Sequence, residues 1–599
     1  MSVVGFDFGT TNSLVSVVKG DRVIRFLDDE QRPIPSVVCY EGAHKIVGRD
    51  AKERLAGAGL GIQGNIVSSP KRFLGQESIH VGGVERSPVD IVADVVRHVM
   101  QEARTGARRR DLEGITGAVV TIPVDMVGHR RRALRDAFRL AGLSIVQFVH
   151  EPLAALYGHF RGADFQEMLR TYDRKLILVF DWGGGTLDLT LCRMTGGMAV
   201  QVMNDGSEDV GGDFFDEAVM NHVVQETLRT RGIAQDVNVH PGARARLRYK
   251  CEQAKIALSS RSNAKVYLAS YFQGLADEDL DYSLSRKELE DTVEPLLDNG
   301  FKRIQRILET AGYSPEQVAL CVATGGMSNM PAVACRLNEW FGPERVRIPD
   351  GTATLIAEGA AWIAHDKAGL QLAKNVELAL ARNSYLPLVK AGTAMPREGE
   401  VQSESFHLYC TDPRDGTAKF ELCSPKRAGR SVLPNDERTH LENVTVRVDR
   451  KARAFRERLE LDIRINDDLV LEAHARSLNA QDQDRKEIYN LEFGLAFPAE
   501  IPPPPAERPG KPAAAASEPG PAGGVRVRAN IADRIDQALV PGELQYQYNP
   551  HYFHPPGRAP QEQEFERLYY VPCAICGRAA NDPLCTCGGS KKSRPGAGF

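Results

Sequence analysis

Two short segments, Asp7-Phe8-Gly9-Thr10-Thr11 and Asp181-Trp182-Gly183-Gly184-Gly185-Thr186, each set a carboxylate ahead of a glycine turn. The first follows the apolar run Val3-Val4-Gly5-Phe6, the second Leu176-Ile177-Leu178-Val179-Phe180. A second β-prone run follows each, Leu14 to Val18 and Leu187 to Leu191. This pattern predicts strand, tight turn, strand, twice over. The turn glycines let backbone N–H groups crowd an anion, and the Thr hydroxyls add donors. A carboxylate at the strand end repels phosphate, so it calls for a bridging cation or that cation's water shell. A single such turn reads as an ordinary hairpin. Two alike, facing one another, would clamp a polyphosphate and its Mg²⁺.

A chain of 599 residues predicts several domains, since single cores rarely grow past roughly 250–300 residues. With 42% hydrophobic and 26% charged residues there is material for a sizeable core. The net charge of −4 gives no general case for nucleic acid or an anionic membrane. The local basic clusters, Arg104 to Arg110 and Arg130-Arg131-Arg132, read as solvated surface. No apolar run approaches the roughly 20 residues of a membrane-spanning helix. The N-terminus lacks a basic start and carries Asp7 inside its apolar stretch, unlike a signal peptide. A cytoplasmic protein is expected. Seven of the eleven cysteines are scattered through the first 500 residues and read as reduced core residues.

Residues 1–366 alternate strand and helix signals. Ala118 to Ile122 is a strand stopped by Pro123. Ser87-Pro88 opens a helix with Val92, Val95, Val96 and Val99 on one face, and Arg130 to Ala141 is another helix. Alternation of this kind argues α/β with a mixed or parallel sheet. The repeated hairpin predicts two similar lobes with a ligand between them. Residues 367–497 read instead as an antiparallel β-sandwich, from period-2 runs such as Leu459, Leu461, Ile463, Ile465 and Leu491, Phe493, Leu495, Phe497. Residues 498–524 are expected to form a disordered proline-, alanine- and glycine-rich linker. Residues 525–599 form a tail.

Further segments lie between and beyond the hairpins. They are Pro70-Lys71-Arg72-Phe73-Leu74-Gly75, His150-Glu151-Pro152, Gly211-Gly212-Asp213-Phe214-Phe215-Asp216, Glu252 to Ser260, and Thr324-Gly325-Gly326-Met327-Ser328-Asn329-Met330-Pro331. Together and in this order they resemble the heat-shock 70 (DnaK-type) chaperones, a family of the actin-like ATPase superfamily. The resemblance implies a two-lobed ATPase domain that binds ATP or ADP with Mg²⁺, followed by a peptide-binding sandwich. It implies Asp7 and Asp181 on the metal side. Gly9, Thr10, Thr11, Asn12, Gly183, Gly184, Gly185 and Thr186 would lie around the phosphates. Lys71 would orient the attacking water, with Glu151 and Asp188 completing its shell; Thr186 and Asp181 count with these as catalytic. Gly211, Gly212, Glu252, Lys255, Ser259, Gly325, Gly326 and Ser328 would bind the rest of the nucleotide. Glu151 stands before a proline, which favours an extended strand-end conformation.

Three departures stand out. Asn329 replaces an arginine that in the family stacks on adenine, so weaker nucleotide binding is expected. Leu370-Gln371-Leu372-Ala373-Lys374 matches the family's interdomain connection poorly. The proline-rich linker stands where the helical lid would be. The tail resembles no family, but Cys573-Ala574-Ile575-Cys576 and Cys585-Thr586-Cys587 supply four thiolates suited to a small zinc-ribbon-like site.

The leading expectation is a slow ATPase and lidless chaperone. Its partners would be unfolded protein or peptide clients, a J-domain co-chaperone and a nucleotide-exchange factor, with the zinc tail docking to a further partner. The alternative is a nucleotide-gated scaffold or sensor with negligible turnover. A small-molecule kinase of the same superfamily fits the attached sandwich less well.

Overall fold

The computed structural model describes residues 2–498 except 58–62, 106–113, 208, 427 and 429–434. The linker from 499 and the whole tail, with Cys573, Cys576, Cys585 and Cys587, lie outside the described residues.

Both hairpins form, and each nucleates a sheet of the same design. Strand Ser2–Phe8 pairs antiparallel with Asn12–Lys19 and parallel with Ile115–Ile122. Strand Leu176–Trp182 pairs antiparallel with Leu187–Thr195 and parallel with Val318–Thr324. The first sheet continues through Ser144–His150 on one side and Arg22–Phe26 on the other. The second continues through Met198–Ser207. The central strands are buried on both faces, and so their sequences are apolar throughout rather than alternating. Helix Pro88–Thr105 covers the first sheet with Val92, Val95, Val96 and Val99, all fully buried.

The lobes meet where helices Glu151–Arg161 and Leu355–Asp366 cross at their glycines. A methyl group on Gly359 would lie 1.7 Å from the Ala154 carbonyl oxygen. Neither backbone can yield without shifting a helix. Gly359→Ala is therefore expected to cost about 3 kcal/mol, at the upper end of overpacking penalties. In calorimetry the first unfolding transition should fall by several degrees; an unchanged transition would mean that the crossing is looser than this.

The sandwich consists of two antiparallel sheets. One runs Ser384–Val389, Val376–Leu380, Thr417–Pro425, Arg438–Arg447; the other runs Val401–Tyr409, Arg458–Asn466, Leu471–Ser477, Asp482–Ile488. Leu459, Leu461, Ile463 and Ile465 point inward as their period-2 spacing predicts. Strand Phe493–Ala496 also forms, but not in the sandwich. It pairs with Met198–Val200 of the second lobe, and Leu370–Leu372 pairs on its outer side. Alternation identified a strand without identifying its partner.

Two sequence readings are corrected here. Arg131 is no solvated residue: it is fully buried on helix Gly128–Leu140, against the sandwich turn at Asp468 and Leu469. Glu151 is not strand-end but the first residue of helix Glu151–Arg161. Pro152 sits in that helix's first turn, where its missing N–H costs nothing. Six of the described cysteines are buried as expected, whereas Cys335 is exposed.

Candidate functional site

The turns of the two hairpins face one another across a cavity of about 120 Å³. Gly9, Thr10, Thr11 and Asn12 line one side; Gly183, Gly184, Gly185 and Thr186 line the other, with Asp7, Glu151, Asp181, Gly325 and Gly326. The glycines are dictated by the approach of the two turns. A Cβ on Gly185 would lie 2.7 Å from Thr10 Cγ2, and one on Gly184 would lie 2.4 Å from Thr11 Oγ1.

Asp7, Glu151, Asp181 and Asp188 converge beside Lys71. Lys71 is buried and donates to Glu151 Oε1 at 2.9 Å. Thr121 donates to Asp7 Oδ1 at 2.8 Å, and the Val124 N–H to Asp188 Oδ1 at 3.2 Å. Burial pushes the Asp7 carboxyl up to about 7, with the Glu151 charge adding to it and Lys71 opposing. Burial, then the Glu151 charge, raises Asp181 and Asp188 well above the carboxylate range. So many carboxyls in so little space stay ionised only if more positive charge enters. Thr11 Oγ1 and Asp188 Oδ2 are buried without a hydrogen-bond partner among the described residues. Buried acid oxygens, hydroxyls and turn amides are the donor set that a hydrated hard cation and a polyphosphate require, so the residues present fit Mg²⁺ with a nucleotide.

The remaining predicted residues divide. Gly211 and Gly212 support the second hairpin from behind. Gly212 N–H donates to Gly183 O at 3.1 Å and Asp213 N–H to Gly184 O at 2.7 Å. Lys255 is held by Asp216 at 2.7 Å and by the Gly212 carbonyl. Glu252 lines a second cavity of about 300 Å³ that shares Thr11 with the first. There it pairs with Lys52 at 2.7 Å, and Arg72 reaches Asp213 at 3.1 Å, so ion pairs bridge the lobes over the cleft. Ser259 caps its helix and lines neither cavity. Ser328 turns inward, its hydroxyl donating to Thr324 O. Sequence reasoning missed Thr121 and Asp216 as partners of site residues. Both lay within segments it quoted, but nothing in a sequence reports which side chain a site residue will grip.

Asn329 donates to Thr352 Oγ1 at 2.9 Å and to Gly326 O at 3.3 Å. It offers no planar cation to a base. Asn329→Arg is expected to tighten ATP binding about threefold, the worth of an exposed cation–π contact. Titration calorimetry checks this; unchanged or weaker binding would show that no base lies over residue 329.

Twin lobes with matching hairpins around a phosphate-sized, acid-lined gap define the actin-like class of nucleotide-binding domains. A family model described as Hsp70 protein matches residues 3–82 and 77–381, more than half of the chain, and the chain belongs to the Hsp70 family. Among curated proteins it is 32% identical over 390 residues to the chaperone protein HscA homolog of Pseudomonas aeruginosa strain LESB58. It is 31% identical over 390 residues to that of strain UCBPP-PA14. In both cases the match covers 61% of this chain and 58% of the relative. Among the described residues no helix is long and apolar enough to cross a membrane.

Proposed function

We propose that this chain is a slow, ATP-driven chaperone of the cytoplasm whose sandwich holds protein or peptide clients without a helical lid. The observation that carries the reading is the buried Lys71–Glu151 pair, set at 2.9 Å beside two glycine hairpins and three further carboxylates. Phosphoryl transfer to water needs positioning and charge stabilisation more than covalent chemistry. Lys71 supplies a fixed cation on the terminal-phosphate side, next to Thr10 and Thr186. Glu151 holds that ammonium in place and accepts a hydrogen bond from the attacking water. The turn amides and Thr hydroxyls orient the phosphates. Mg²⁺, held through Asp7 and Asp181, would neutralise phosphate charge. Gly325 and Gly326, which also line the cavity, would let the backbone approach the adenosine.

Client binding is supported by a cavity of about 720 Å³ in the sandwich. It lies between Ser384–Val389 and Val401–Tyr409, which are both edge strands among the described residues. Its floor is Leu386, Leu388, Phe406, Ile463 and Ile465, with Lys390 and Glu404 at the rim. Edge strands above an apolar floor suit an extended peptide, which can add as a strand. Family membership supports a J-domain co-chaperone as a partner, and an exchange factor is proposed with it. Zinc binding and partner docking by the tail rest on its cysteine spacing.

Phosphate release from MgATP, measured with and without an unfolded client peptide, tests the reading. Release no faster than that of Lys71→Ala would overturn it in favour of a nucleotide-gated scaffold.

A further inference from the structure

The strand Phe493–Ala496 follows the sandwich directly and leaves it for the second lobe. There it lies between Met198–Ser207 and the connecting strand Leu370–Leu372. Both chain connections of the sandwich are thus stacked, strand on strand, at one sheet edge. Leu491, Phe493 and Leu495 are almost completely buried. Phe497 stacks on Tyr157 with ring centres 4.5 Å apart and packs on Phe160 and Phe165. Its N–H donates to Gly197 O at 2.9 Å.

The inner end of this strand reaches the hydrolytic site through two buried side chains. The pairing with Met198–Val200 stops one residue short of Gln201. The Phe493 N–H is donated instead to Gln201 Oε1, at 2.8 Å. The Gln201 amide in turn lies 3.3 Å from His150 Nδ1, and its Nε2 donates to Asn204 Oδ1 at 3.1 Å. The Phe493 ring packs on the His150 ring, centres 5.2 Å apart. His150 and Gln201 have no exposure to solvent. His150 immediately precedes Glu151, so its ring and backbone set where the helix carrying Glu151 begins.

We propose that strand Phe493–Ala496 braces the catalytic carboxylate, with Phe493 and Gln201 acting through His150 as positioning residues for Glu151. The proposal rests on the reading of Glu151 as part of a hydrolytic site. Its physical basis is packing: a buried imidazole fixed by an amide on one side and a ring on the other cannot shift without shifting the next residue. When the strand lifts, Gln201 loses its N–H donor, His150 loses its ring contact, and Glu151 gains freedom relative to Lys71. The state of the sandwich thereby reaches the site through its exit strand.

The test uses the full chain with Phe493→Ala, Gln201→Leu, the double variant, and Phe493→Leu as the conservative replacement. Two quantities are read: kcat and KM for ATP, and hydrogen exchange at the amides of Val149 to Leu156. The single variants should lower kcat about tenfold with KM for ATP unchanged, the scale expected for a misplaced catalytic group. The double variant should be no worse than the poorer single one, and Phe493→Leu should recover most of the loss. Exchange at Val149 to Leu156 should rise while the hairpin Asn263–Leu268 with Leu280–Ser285 stays protected. Exchange that rises along Phe493–Ala496 but not at Val149 to Leu156 would overturn the brace. So would a fall in kcat that merely tracks the fraction unfolded. Should Phe493→Ala fail to fold, Gln201→Leu decides alone. Should wild type turn over no faster than Lys71→Ala, the hydrolytic reading fails, and the exchange comparison still decides whether the strand positions Glu151.

Discussion

Lys71→Ala should reduce phosphate release from MgATP by about 10²- to 10³-fold, the loss typical of removing one preorganised charge from a transition state. Lys71 is 3% exposed and Glu151 7%, so neither can turn to solvent for compensation. Taking the ammonium away leaves Glu151 without its partner among Asp7, Asp181 and Asp188. Breaking a buried pair from one side costs about 3–5 kcal/mol. Part of this is recovered by protonation, because Lys71 now opposes the upward pull on Asp7 and Asp181. The protein should therefore fold but lose stability, most clearly at high pH, where the carboxyls resist protonation. Lys71→Met separates the effects: it keeps most of the aliphatic volume and removes the charged donor. On the proposed reading Lys71 faces the terminal phosphate, which ADP lacks, so ADP binding should stay near the wild-type value while turnover collapses. If both variants released phosphate at the wild-type rate, Lys71 would be a structural lysine and the ATPase reading would fall.

The legible parts of the sequence were those whose signal is local. Asp7 to Asn12 and Asp181 to Thr186 announced themselves because a glycine turn between apolar strands has few other uses. Leu459 to Ile465 announced an inward sandwich face because side chains alternate along any strand. What the sequence hid depends on partners far away. Arg131, in a run of three arginines, read as solvated, yet the turn that buries it is more than 330 residues downstream. Phe493 and Leu495 alternate as sandwich residues do, but pair with Met198–Val200. Lys255 stands at the spacing of a nucleotide contact, but nothing local announced the Asp216 carboxylate that holds it. Ser328 lies in the second glycine turn, but its rotamer aims at Thr324 O. Motif order identified the family and the neighbourhood of the site; individual hydrogen bonds required the fold.

The second large effect is expected at Arg131, where the sandwich grips the first lobe. Its guanidinium donates from Nε to Met126 O at 2.7 Å and from Nη2 to Tyr489 O at 3.0 Å. From Nη1 it donates to Asp468 O at 3.2 Å and Leu469 O at 3.1 Å. The charge is thus solvated by four carbonyls, and burial pushes the pKa of Arg131 down to about 10, with Asp468 and Asp125 opposing. The acceptors come from a turn held in an unusual shape. Leu469 has a φ of 58°, and Asn466 Oδ1 accepts from the N–H groups of Asp468 and Val470. Arg131→Ala removes every donor at once and leaves carbonyls facing a cavity the size of the lost side chain. An unpaired buried acceptor costs about 1–3 kcal/mol. With some water entering, the docked arrangement should lose about 3–4 kcal/mol, a several-hundred-fold shift. The neighbouring pairs, Arg135 to Asp468 at 2.8 Å and Arg132 to Glu487 at 3.0 Å, are more exposed. Each should matter by about 1 kcal/mol or less. Hydrogen exchange at Asn466 to Val470 and at Tyr489 should accelerate strongly in Arg131→Ala and only slightly in Arg132→Ala. The strand Phe493–Ala496 is a second, independent tether, so Arg131→Ala alone should loosen the sandwich without freeing it. Combined with Phe493→Ala it should free it, and the radius of gyration by small-angle X-ray scattering should rise only in the double variant. Equal exchange rates in Arg131→Ala and Arg132→Ala would mean that the buried guanidinium holds nothing its solvated neighbour does not.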